Sequence, residues 1–263
     1  MRRLYVGTSW KMNKTVGESR TYIKNLSDFM NENPELINEI EVFVLPTFLS
    51  IDSSAQIVKE TNSRLKIGAQ NCCWEDCGAF TGEVSPMHLS DLGTSYVEIG
   101  HAERREIFME TDEMAAKKTA AIIKNNMRPI LCIGEEKKPD QIEIALRFLE
   151  HQLLEGLSKI NNPDIKNVVI AYEPVWAIGA SASAPLDYLS EAMNFLRDLL
   201  NRKFGNKCGD NQDIIYGGSV TPESAKDILA LPANDGIFVG RSALNVDYFK
   251  SMIKMASEIQ KTK

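Results

Sequence analysis

Eight short apolar runs recur along the chain, at Leu4–Val6, Glu41–Leu45, Leu65–Ile67, Tyr96–Ile99, Pro129–Ile133, Val168–Ala171, Asp213–Ile215 and Gly236–Val239. Each ends in Gly, Pro or a charged residue and leads into a stretch with helical spacing. From Thr15 to Met30 the apolar residues Tyr22, Ile23, Leu26, Phe29 and Met30 share one helical face. Asp140 to Leu157 reads the same way through Ile144, Phe148, Leu149 and Leu153, and Leu186 to Phe204 through Leu189, Met193, Leu196 and Leu200. Thr221-Pro222-Glu223-Ser224 is a helix start, with a capping hydroxyl, Pro at the first position and an acid in the first turn. Pro86 to Leu92 is a short helical piece, and Asp247 to Ile259 closes the series. A strand–helix alternation repeated eight times predicts an α/β fold, a single (β/α)8 barrel over residues 1–263. The rival is an open doubly wound sheet. Its dinucleotide fingerprint is missing from the first strand-to-helix turn, Gly7-Thr8-Ser9-Trp10-Lys11.

Composition narrows the function classes. At 43% hydrophobic and 25% charged residues the chain is an ordinary globular protein. No apolar run approaches the roughly 18 residues of a membrane helix. The first glycine, Gly7, comes too early for a signal-peptide core, so a cytoplasmic protein is expected. A net charge of −6 argues against non-specific nucleic-acid binding, and an anionic substrate would need a local positive site. The cysteines Cys72, Cys73, Cys77, Cys132 and Cys208 form no zinc-type spacing, so free thiols and no metal are expected.

A barrel places its chemistry at the C-terminal ends of its strands. Those ends hold Lys11, His101, Glu173, Gly217-Gly218-Ser219 and Gly240-Arg241. A carboxylate directly after a buried apolar strand, like Glu173, starts partly desolvated, which raises its pKa and makes it a better base near neutrality. His101 opens a helical segment, where the positive end of the helix dipole disfavours its charged form. His88 and His151 fall inside predicted helices and read as structural or exposed. Lys11 supplies positive charge to an anionic substrate. The glycines after the seventh and eighth strands let backbone N–H groups approach a phosphate. Between Pro174 and Pro185 the run Val175 to Ala184, rich in small residues, reads as a hinged lid. Asn71 to Ser85 is a long loop carrying Trp74 and Phe80, which favours burial in a partner. Taken singly, each of these residues also has an ordinary structural reading.

Four segments together carry a resemblance: Trp10-Lys11-Met12-Asn13, Gly100-His101-Ala102-Glu103-Arg104-Arg105, Ala171 to Gly179, and Tyr216-Gly217-Gly218-Ser219-Val220. In this order they resemble the triosephosphate isomerase family along essentially the whole chain. The resemblance implies a TIM barrel and a cofactor-free phosphosugar isomerase of glycolysis and gluconeogenesis. It implies Glu173 as the base next to the carbonyl, His101 as the polarising group and proton shuttle, and Lys11 as the stabiliser of negative charge. Glu103 would orient Lys11, while Gly179, Ser219, Gly240 and Arg241 would hold the phosphate. A lid of the kind this family exemplifies would close over the enediol. The loop 71–85, with Gly78 to Glu83, resembles the family's dimer loop and implies a homodimer.

Four departures from the family pattern stand out. Ser9 replaces the family's Asn, Ala102 its Ser, and Arg241 its second Gly. The lid tip Ala180-Ser181-Ala182-Ser183-Ala184 is one residue shorter. The first and last of the barrel loops also look like the erythrulose-phosphate isomerases of tetritol catabolism. That keeps L-erythrulose 1-phosphate and D-erythrulose 4-phosphate as an alternative substrate pair beside dihydroxyacetone phosphate and D-glyceraldehyde 3-phosphate. A non-catalytic sugar-phosphate-binding barrel is a third reading, and the joint presence of Lys11, His101 and Glu173 argues against it.

Overall fold

The structure, a computed structural model, describes residues 2–205 and 207–262. Its strands are β1 (Leu4–Ser9), β2 (Ile40–Leu45), β3 (Lys66–Ala69), β4 (Tyr96–Ile99), β5 (Arg128–Ile133), β6 (Val169–Tyr172), β7 (Asp213–Gly218) and β8 (Gly236–Val239). All neighbours pair in parallel, and β8 pairs with β1 from Tyr5↔Gly236 to Thr8↔Val239, closing the barrel. The intervening helices are α1 (Val16–Glu32), α2 (Ile51–Glu60), α3 (Pro86–Asp91), α4 (Ala102–Phe108), α5 (Asp112–Lys124), α6 (Ile142–Leu157), α7 (Leu186–Phe204), α8 (Cys208–Asn211), α9 (Pro222–Ala230) and α10 (Val246–Gln260). The expected (β/α)8 barrel is the observed fold.

Each strand is buried on both faces, which is why the runs read as continuously apolar. Inward residues Tyr5, Phe43, Leu45, Tyr96, Ile130, Cys132, Val169, Ala171, Ile215 and Phe238 fill the barrel interior as one cluster. Outward residues such as Val42, Val97, Leu131, Ile170 and Ile214 pack under the helices as another. At the strand N-termini the interior is closed by a polar knot. There Tyr5 donates to Asp213 at 2.7 Å while Arg128 donates to both.

The helix starts follow their caps. Thr15 accepts from the Glu18 N–H while the Glu18 carboxylate accepts from the Thr15 N–H. Thr221 and Ser224 make the same reciprocal pair ahead of Pro222. One expectation needs correcting. Gly217 and Gly218 are not a turn after the seventh strand but its last two residues, because β7 keeps pairing with β8 through Gly218↔Val239. Among the described residues no helix is long and apolar enough to cross a membrane. The five cysteines are free, and the Cys72–Cys77 cluster does not converge, since Cys72 and Cys73 are buried and Cys77 is exposed.

Candidate active site

The strand C-termini open into a cavity of about 620 Å³. It brings together all nine residues expected there: Ser9, Lys11, His101, Glu103, Glu173, Gly179, Ser219, Gly240 and Arg241. They come from β1, β4, β6, β7 and β8 and the loops that follow them, so only barrel closure makes them neighbours.

Lys11 stands two residues past β1 with a left-handed backbone, φ +51°, which costs energy for a non-glycine residue. Surrounding contacts hold it there. Gln70 donates to the Lys11 carbonyl at 3.0 Å, and the Lys11 ammonium donates to Glu103 at 2.5 Å. Trp10 anchors the turn from below. It is fully buried, edge-on to Tyr22, whose hydroxyl donates to the Ala243 carbonyl beyond β8.

His101 caps α4. Its Nδ1 accepts the Glu103 N–H at 3.1 Å, so Nδ1 carries no proton and Nε2 carries the hydrogen. Burial and then the Lys11 charge push its pKa well below the ordinary histidine value, so the ring is neutral at physiological pH. Nε2 lies 3.6 Å from Glu173 Oε2. The backbone before His101 is held from behind by a buried ion network. Glu110 accepts the Gly100 N–H at 2.8 Å, Arg104 at 2.6 Å and Lys118 at 2.7 Å.

Glu173 follows β6 and is only 5% exposed. Its Oε2 has no hydrogen-bond partner among the described residues. Burial raises its pKa to about 7, against the lowering effect of Lys11. Two glycines make room for it. A Cβ on Gly217 would stand 2.3 Å from Glu173 Oε1, and one on Gly134 would stand 1.9 Å from the Glu173 carbonyl oxygen.

Gly179, Ser219, Gly240 and Arg241 line the opposite end of the cavity. The Arg241 guanidinium lies beside Gly179, 3.6 Å from where a Cβ would be, so it adds positive charge over that part of the lid. Ser219 is engaged differently from the others. Its N–H donates to Ala177 at 3.2 Å and its hydroxyl to Ala180 at 2.8 Å, so here it fastens the lid. The lid's far end is held by the Ala184 N–H donating to the Tyr216 hydroxyl at 3.1 Å.

Two features of the site carry no signal in the sequence motifs. Glu98, in the middle of β4, points into the cavity and accepts the Ser9 hydroxyl at 2.7 Å. Glu98, Cys132 and Glu173 bring their ligand-type atoms within 4.8 Å of one another, the one such metal-sized group among the described residues. Glu135 is a hub beneath the lid, accepting from the Trp176 indole and the Tyr188 hydroxyl, both at 2.8 Å.

The triosephosphate isomerase family model matches residues 4–256. The chain belongs to the triosephosphate isomerase family. It is 39% identical over 254 residues to a triosephosphate isomerase of Finegoldia magna, covering 96% of this chain and 98% of that one. It is 38% identical over 254 residues to a triosephosphate isomerase of Carboxydothermus hydrogenoformans, covering 97% and 99%. As a member of this family it is a cofactor-independent isomerase. Within a triosephosphate isomerase framework, Ser9 is not simply a lost amide: its hydroxyl is committed to Glu98.

Proposed function

We propose that this isomerase interconverts dihydroxyacetone phosphate and D-glyceraldehyde 3-phosphate by moving a proton between adjacent carbons through an enediol. One observation carries the reading. A buried carboxylate oxygen without a partner among the described residues, on a residue whose pKa burial raises to about 7, lies 3.6 Å from the Nε2 of a neutral imidazole. That is a base beside a hydrogen-bond donor, which proton abstraction next to a carbonyl requires.

In this reading Glu173 takes the proton from carbon and returns it to the neighbouring carbon. His101 donates from Nε2 to the carbonyl oxygen and passes protons between the two enediol oxygens. Lys11, oriented by Glu103, offsets the developing negative charge. The N–H groups at Gly179 and Gly240, with the Arg241 guanidinium, hold the phosphate. The Ser219 N–H joins them when it leaves Ala177. Closing the lid excludes water from the enediol.

The deciding experiment compares kcat/KM on glyceraldehyde 3-phosphate and on L-erythrulose 1-phosphate. A higher value on the triose is expected, and efficient tetrulose turnover with a triose rate orders of magnitude lower overturns the proposal. Gly217→Ala tests the placement of Glu173. The added methyl displaces the carboxylate, and small misplacements of a reacting group cost about 10²-fold. A drop of that size in kcat with KM little changed is expected from steady-state kinetics, and wild-type kcat would remove Gly217 from the argument.

The whole chain is read as one barrel domain that works as a cytosolic homodimer. Its free cysteines suit a reducing compartment. Support for the dimer comes from large apolar side chains left in solvent. Met12 is 97% exposed, next to Lys11, and Phe80 is 42% exposed at the tip of the loop 71–85. The loop is tied together near its base. The Cys73 N–H donates to Val84 at 2.8 Å, and the Ser85 hydroxyl donates to Asp76 at 2.5 Å. Sedimentation velocity at micromolar concentration is expected to give a dimer, and a stable monomer refutes it.

A further inference from the structure

Three carboxylates line the cavity, and the proposed chemistry uses two of them, Glu103 and Glu173. The third, Glu98, is 3% exposed and sits on the inward face of β4, between Tyr96 and the strand end. Ser9 faces it from β1, Cys132 from β5 and Glu173 from just past β6. Oε2 accepts the Ser9 hydroxyl at 2.7 Å, and the Cys132 thiol is 4.0 Å from Oε1. Among the described residues no cation pairs with Glu98. The nearby ammonium, Lys11, is bonded to Glu103, and His101 is a neutral acceptor of the Glu103 N–H. β7 and β8 contribute Gly218 and Phe238 to the same cavity, and Arg241 lies at its phosphate end.

Two carboxylates this close, with no cation of their own in a low-dielectric interior, cannot both ionise cheaply. We infer that Glu98 is a positioning residue that keeps its proton while Glu173 is ionised, so that the floor of the site carries one negative charge instead of two. The inference rests on Glu173 being the base. The order of ionisation follows from the roles: Glu173 has to be ionised to take a proton from carbon, so the proton the pair retains belongs to Glu98. Burial raises the Glu173 pKa to about 7, against the lowering effect of Lys11. Glu98 is pushed to about 8, first by burial and then by the Glu173 charge, against the lowering effects of Ser9 and Lys11. Since Oε2 is taken by Ser9, Oε1, on the Cys132 side, holds the proton. A protonated Glu98 leaves Glu173 free of a second charge as the enediolate forms. An ionised Glu98 adds a buried negative charge against an anionic substrate and intermediate.

Two readouts test this, one of them independent of turnover. In the ligand-free wild type, infrared titration is expected to show a protonated carboxyl band that outlasts the ionisation of Glu173 and disappears near pH 8. The band should be missing in Glu98→Gln and should disappear at lower pH in Glu173→Gln, where the repelling charge is gone. In kinetics, the wild-type kcat/KM should fall about tenfold per pH unit above that point, and Glu98→Gln should lack this alkaline limb. A merely structural Glu98 would lower the plateau without moving the limb. Absence of the band above the Glu173 titration, a band unmoved by Glu173→Gln, or an unchanged alkaline limb in Glu98→Gln each overturns the inference. A failure of triose turnover would overturn only the proposed substrate, because the infrared titration uses no substrate.

Discussion

Glu173→Gln is expected to lower kcat on the triose phosphates by about 10³-fold or more, the upper part of what a positioned general base contributes, while binding of a non-reactive sugar phosphate survives. Gln fills the same space beside Gly217 but cannot accept a proton from carbon. The same change should stabilise the fold at pH 8. A carboxyl moved from its usual 4.5 to about 7 by burial costs the folded state on the order of 3 kcal/mol once it is ionised. The sign follows from proton binding. Between those two values the native state holds more protons at this site than the unfolded chain, so stability falls as pH rises through the window. The cost is complete above pH 7 and absent below the unfolded value. Urea melts should therefore show the variant ahead of wild type at pH 8 and level with it at about pH 4. The wild-type kcat/KM should rise through pH about 7, since only the ionised carboxylate is a base. A variant that turns over at the wild-type rate would take Glu173 out of the mechanism, whatever its stability.

Much of this arrangement is legible along the chain, for a physical reason. Parallel barrel strands are buried on both faces, so they appear as uninterrupted apolar runs, and the residue that ends each run is the one the barrel delivers to the site. Glu173 after Val169–Tyr172 and His101 after Tyr96–Ile99 are read that way. Strand ends are less legible where small residues continue the ladder. Gly217 and Gly218 look like a turn, yet they pair with β8, and they are bare because Glu173 fills the space a side chain on Gly217 would take and the Tyr216 hydroxyl the space one on Gly218 would take. Glu98 escapes for the opposite reason. Alternation along β4 turns Tyr96 and Glu98 inward and Val97 and Ile99 outward, but one acid in a four-residue strand does not mark a site without its neighbours. Ser9 and Cys132, which give it meaning, lie 89 residues before it and 34 after it. Ser9 itself reads as a loss in the sequence and as half of a buried hydrogen bond in the fold.

The ion network behind His101 is invisible to motif reading for the same reason, and it supports the second large effect. Lys118→Met should destabilise the protein by about 3 kcal/mol, because it strips a cation from a buried carboxylate and does not merely remove a surface charge. Lys118 is only 3% exposed, on the inner face of α5 among Ala115, Thr119 and Ile122. Its ammonium donates to Glu110 at 2.7 Å and to Asn71 at 2.8 Å. Burial alone would raise the Glu110 pKa, but Lys118, Arg104 and the Gly100 N–H outweigh it and hold the pKa below the ordinary glutamate value. For an acid held down in this way the stabilisation is present above the unfolded carboxylate pKa and is lost as pH falls through the lower folded one. The deficit of Lys118→Met should therefore be full at pH 7 and shrink in acid, as read from urea melts across pH. Removing both charges with Lys118→Met and Glu110→Leu should recover part of the loss, since an apolar pair leaves no buried ion unpaired. The recovered protein should still be a poorer enzyme. Glu110 also accepts the Gly100 N–H, and that bond fixes the backbone from which His101 meets Glu173. A Lys118→Met variant as stable as wild type at pH 7 would mean that Arg104 and the Gly100 N–H suffice for Glu110, and Lys118 would then be surplus to stability.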